Sequence, residues 1–69
     1  MNLKDAIQAT AEYYATQPGM PTHCTVRCTI NDLTADNARI YAQGYDQDRA
    51  HRIVCNKIRA IRKEAEKNI

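Results

Sequence analysis

Five side chains can do thiol or imidazole chemistry: His23, Cys24, Cys28, His51 and Cys55. Cys24-x3-Cys28 followed by His51-x3-Cys55 has the look of a four-ligand zinc pattern. Residues four apart on a helix share a face, so His51 and Cys55 suit a common ion. The first pair is different, because residues 23–30 read as a strand. Four extended residues would hold Cys24 and Cys28 ~13 Å apart, whereas thiolates on one zinc sit within about 4 Å, given bonds of ~2.3 Å. The expectation is therefore no metal and no cofactor, with the strand cysteines buried as small hydrophobes and Cys55 partly exposed at its helix flank. A Cys–His nucleophile drawn from His51 lacks an identifiable orienting acid or oxyanion feature. Gly19 and Gly44 are the only glycines, too few for a phosphate-cradling loop. No catalytic residues are assigned, and a non-enzymatic protein is expected.

Two further groups of residues can bind. Arg49, Arg52, Arg59, Lys63 and Lys67 recur at helical spacing and fall about 180° from an apolar stripe on the same segment. They form a ridge ~27 Å long at 1.5 Å rise per residue, suited to phosphates spaced ~3.4 Å apart along a nucleic-acid strand. Arg27, Arg39, Tyr41 and Tyr45 fall on the outward positions of two predicted strands. Arginine and tyrosine are the residue types of protein-interface hot spots.

These residues must be positioned by few elements, since the chain has 69 residues, enough for one small domain over 1–69. Residues 3–16 predict an amphipathic helix, with Asn2 as its cap, Leu3, Ala6, Ile7, Thr10 and Tyr14 on one side, and Pro18-Gly19 ending it. Residues 23–30 alternate with period two: Cys24, Val26, Cys28 and Ile30 inward, Thr25, Arg27 and Thr29 outward. Residues 38–45 predict a second strand with Ala38, Ile40 and Ala42 inward. Residues 47–67 are the strongest element, capped by Asp46, with Ala50, Val54, Ile58, Ile61 and Ala65 as the buried stripe. The expected architecture is α+β, a two-layer α-β-β-α domain with an antiparallel hairpin packed against two helices.

The apolar supply is thin: Leu, Ile, Val and Phe together number 11 of 69, and ten of the residues are Ala. A two-stranded sheet is marginal in water and small domains gain little from burial alone, so a homodimer is expected. No run of residues is long and apolar enough to span a membrane, and Met1-Asn2-Leu3-Lys4-Asp5 has no apolar signal core. Three cysteines without a signal read as reduced thiols in the cytoplasm. The net charge of +2 divides into −3 over residues 1–48 and +5 over residues 49–69.

Residues 19–55 resemble the double-stranded-RNA-binding domain. Thr25-Val26-Arg27-Cys28-Thr29-Ile30-Asn31 looks like its central strand, and Gly44-Tyr45-Asp46-Gln47-Asp48-Arg49-Ala50-His51 sits where its glycine leads into the last helix. The resemblance implies an α-β-β-β-α fold and RNA as a ligand. At the positions of that family's phosphate-binding lysines this chain carries Gln47, Asp48 and His51. Two functions follow as expectations. The first is a regulatory protein-interaction module acting on a protein partner through Arg27, Arg39, Tyr41 and Tyr45. The alternative is a nucleic-acid-binding domain using the basic helix face.

Overall fold

The computed structural model describes residues 1–34, 42 and 44–67. Three helices are present among them: α1 (Leu3–Ala15), α2 (His23–Thr34) and α3 (Gln47–Lys67). No strand occurs among the described residues, so the α+β expectation is corrected to an all-helical fold in which each helix packs against the other two.

α1 begins as its sequence requires. Asn2 stays extended at φ −77°, ψ 170°, and its Oδ1 accepts from the Asp5 amide at 2.8 Å. That satisfies one of the amides every helix start leaves without an internal partner. Ala6, Thr10 and Ala11 form the buried face. Thr10 is tolerated there because its hydroxyl donates to the Ala6 carbonyl at 2.6 Å. The chain leaves the helix through Pro18 and Gly19, and Gly19 adopts φ +75°, which glycine reaches without strain.

α2 replaces the first predicted strand. The inward set assigned by alternation mixes two different faces. Val26, Ile30 and Leu33 lie within about 60° of one another at 100° per residue, and it is this trio that meets the core, Val26 and Ile30 at 0% exposure with Leu33 partly buried against them. Cys24 and Cys28 lie on another face and are exposed, not buried. The start signal is Thr22: its Oγ1 accepts from the Thr25 amide at 3.1 Å, and its carbonyl accepts from the Val26 amide at 3.0 Å. The β-branched Thr29 is accommodated by donating to the Thr25 carbonyl at 2.9 Å.

The second predicted strand, 38–45, lies mostly outside the described residues, and Gly44 and Tyr45 within it are not in a strand. The two-stranded sheet, which with the thin apolar supply was a ground for expecting a homodimer, is not found among the described residues. α3 keeps its predicted bounds and cap, with the Asp46 carboxylate accepting from the Arg49 amide at 2.8 Å. Its buried face is Ala50, Val54, Cys55 and Ile58, with Ile61 partly buried. Ala65 is exposed, because α3 extends past the region its neighbours cover.

The core joins Ala6 and Ala11 of α1, Val26 and Ile30 of α2, and Ala50, Val54 and Ile58 of α3, with Tyr45 at its edge. Alanines at helix contacts permit close packing, which extracts a core from a chain poor in large apolar residues. Polar ties close the seams. The Tyr14 hydroxyl meets Thr29 Oγ1 at 3.0 Å, and Lys57 Nζ donates to Gln8 Oε1 at 2.9 Å. Among the described residues no helix is long and apolar enough to cross a membrane.

Candidate nucleic-acid interface

α3 carries all seven lysines and arginines of residues 49–69, and the fold sorts them into two groups. Lys57 and Arg62 turn inward. Lys57 binds Gln8 as above. Arg62 Nε donates to the Ala15 carbonyl at 3.3 Å, and Nη2 lies 3.1, 2.5 and 2.7 Å from the carbonyls of Tyr14, Gln17 and Gly19. These are carbonyls at and just beyond the end of α1; that of Tyr14 also accepts from the Gln17 amide at 3.1 Å. The last turn of α1 has no basic residue of its own, so Arg62 supplies the cation that the negative end of its dipole favours.

Arg49, Arg52, Arg59, Lys63 and Lys67 form the second group, and all five are exposed. Among the described residues none of them pairs with an acid; the ion-pair contact present is His23 Nε2 with Asp48 Oδ1 at 3.4 Å. Arg59 Nη1 donates to Asn56 Oδ1 at 3.1 Å, which steers a guanidinium along the ridge. The face therefore presents Arg49, Arg52, Asn56, Arg59, Lys63 and Lys67, all charged groups or amide donors. Glu64 and Glu66 are exposed on the same helix but lie about 100° and 60° from the centre of the ridge at helical spacing. An open groove of about 740 Å³ adjoins the N-terminal end, lined by Lys4, Arg49 and Lys57 together with Asp5 and Asp46.

Of the four residues of the expected protein-binding face, Arg27 and Tyr45 lie among the described residues. Tyr45 is only 9% exposed and belongs to the core. Its place explains this: it directly precedes the Asp46 cap, where an apolar side chain closes over the fourth residue of the helix, here the buried Ala50. Arg27 is half-buried on α2. Arg39 and Tyr41 lie outside the described residues. The pairing of these four residues required a sheet to bring them together.

The thiols and imidazoles fall into two separate sets. His23 and His51 stack, with ring centres 3.8 Å apart and planes 18° from parallel. His51 Nε2 is 2.9 Å from the Pro21 carbonyl and 3.5 Å from Cys55 Sγ. A carbonyl can only accept, so this bond puts the proton on Nε2. In that tautomer Nε2 has no lone pair to take a proton from Cys55, which is buried at 6% exposure instead of partly exposed. Cys24 and Cys28 form the other set, their sulfurs 4.0 Å apart. The ~13 Å strand estimate fails because the segment is helical. The Cys28 thiol is held above its ordinary value, chiefly by the neighbouring Cys24 through a hydrogen bond and charge, and secondarily by desolvation, with Arg27 opposing. No group of three or more His, Cys, Asp or Glu able to hold a metal occurs among the described residues.

Comparison with known proteins finds no matching family model, no matching curated protein and no matching solved structure. The segment likened to the central strand of the double-stranded-RNA-binding domain is part of α2.

Proposed function

We propose that this chain is a small non-enzymatic module that binds the phosphate backbone of a nucleic acid through the outer face of α3. The observation that carries the reading is the division of labour among the seven basic residues. Two are consumed by internal contacts, and the other five line one exposed face with no acid paired to them among the described residues. Arginines and lysines so arranged neutralise phosphates and release counterions, a sequence-independent source of affinity. The helix N-terminus contributes little, since Asp46 and Asp48 occupy it. Contact is therefore expected along the side of α3 and not at its tip. Three cysteines without disulfide bonds suit a reducing compartment such as the cytoplasm.

The test is fluorescence anisotropy with a labelled duplex of about 20 base pairs at about 50 mM salt, where backbone contacts are strong. The wild type binds. Replacing Arg52, Arg59 and Lys63 together by Ala weakens binding by at least about 30-fold, the consequence of losing three phosphate contacts. Equal binding by the triple variant, with helicity retained, overturns the reading.

A further inference from the structure

We propose that Cys24 and Cys28 form a bidentate thiolate site for a soft, low-coordinate cation of the Cu(I) class. α2 places the two thiols four residues apart on one exposed face, with sulfurs 4.0 Å apart. Two metal–sulfur bonds of ~2.3 Å span ~3.8 Å at a tetrahedral angle and ~4.6 Å when straight. The observed separation lies between them and corresponds to an angle of about 120° at the metal. Both thiols thus reach one ion with little movement of the helix, whereas a disulfide would need the sulfurs to close to ~2.05 Å.

The donor set, two thiolates among the described residues, selects the ion. Structural zinc takes four protein ligands in a closed tetrahedron, and no third His, Cys, Asp or Glu joins this pair among the described residues. His23, adjacent in sequence, stacks on His51 and has its Nε2 3.4 Å from Asp48 Oδ1. Thiolates favour soft ions, and Cu(I) is the soft ion that tolerates few ligands. Binding is a ligand exchange without electron transfer. Each thiol releases one proton to solvent, two sulfur–copper bonds form, and the site changes from neutral with two protons to a singly negative bis-thiolate complex. Because protons are released, affinity rises with pH.

The experiment is anaerobic competition between the reduced chain and a coloured Cu(I)–bicinchoninate complex. The wild type withdraws one Cu(I) per chain. Cys24→Ser or Cys28→Ser weakens the competition by about 100-fold or more, as removal of a direct ligand exceeds the 10–100-fold cost of losing an outer-shell partner. Cys55→Ser leaves it unchanged. In parallel, Cu(I) shields Cys24 and Cys28 together from iodoacetamide in the unaltered chain, a readout that needs no variant to fold. Failure of the wild type to withdraw Cu(I), undiminished withdrawal by the Cys24→Ser/Cys28→Ser double variant, or shielding confined to Cys55 overturns the site.

Discussion

Replacing Arg62 by Ala removes the side chain that ties the end of α1 to the body of α3. Its guanidinium lies within 3.3 Å of four carbonyls, those of Tyr14, Ala15, Gln17 and Gly19. The two hydrogens of Nη2 serve three of these, so the four contacts do not count in full. Hydrogen bonds from a charged donor contribute ~1.5–3 kcal/mol net each when buried. The carbonyls of Gln17 and Gly19 belong to exposed residues and can return to water. One well-sheltered bond plus a cation at a helix C-terminus, itself worth ~0.3–1 kcal/mol, gives a loss of about 2 kcal/mol. A chain of this size has roughly 3–10 kcal/mol in total, and 2 kcal/mol lowers the melting temperature by about 8–16 °C. The assay is thermal unfolding followed by circular dichroism. Arg62→Lys keeps the charge but not the planar fork, and is expected to recover about half of the loss. Lys63→Ala, the exposed neighbour, serves as control and stays within ~0.5 kcal/mol. An Arg62→Ala variant that melts within about 2 °C of the wild type would refute the reasoning.

Further expectations come from the same contacts. Thr22→Ala removes the acceptor for the Thr25 amide and costs about 1 kcal/mol, read as a lower urea midpoint at unchanged slope; an unaltered midpoint would remove Thr22 from its capping role. Ile58→Ala, at 0% exposure, costs about 2–5 kcal/mol through lost burial and a cavity, and a loss under ~1 kcal/mol would mean that α3 packs elsewhere. Cys24 is the largest cause of the raised Cys28 value. Cys24→Ser therefore lowers it and enlarges the thiolate fraction, so alkylation of Cys28 near pH 8 quickens, with mass spectrometry following each cysteine. A slower reaction would reverse the sign assigned to the pair.

How far the fold could be read depended on which signals agreed. At α1 and α3 the caps Asn2 and Asp46, the apolar period and the terminators Pro18-Gly19 all point to the same elements, and both helices appear where expected. At residues 23–30 two periods coexist. Cys24, Val26, Cys28 and Ile30 alternate, while Val26, Ile30 and Leu33 recur at helical spacing. β-branched content favoured the strand, although propensity of that kind is outweighed by packing. Thr22, following Pro21, held the missing information as a helix cap. That misassignment separated Cys24 from Cys28 and, together with the second predicted strand that turned Tyr45 outward, introduced a sheet. The basic ridge escaped because it rests on α3 alone, where residue spacing fixes the face. The inward turn of Arg62 was not legible, since it depends on where the end of α1 comes to rest, a tertiary fact.

The central claim, that the exposed ridge of α3 contacts a phosphate backbone, is tested most directly by the salt dependence of duplex binding. Five cationic side chains on phosphates release counterions and give a slope of about −4.5 in log K against log salt, so affinity falls about 500-fold between ~50 and ~200 mM salt. In an Arg52→Ala/Arg59→Ala variant the slope shrinks by about 2. Binding that is absent at ~50 mM salt, or that persists with a slope near zero, contradicts the account.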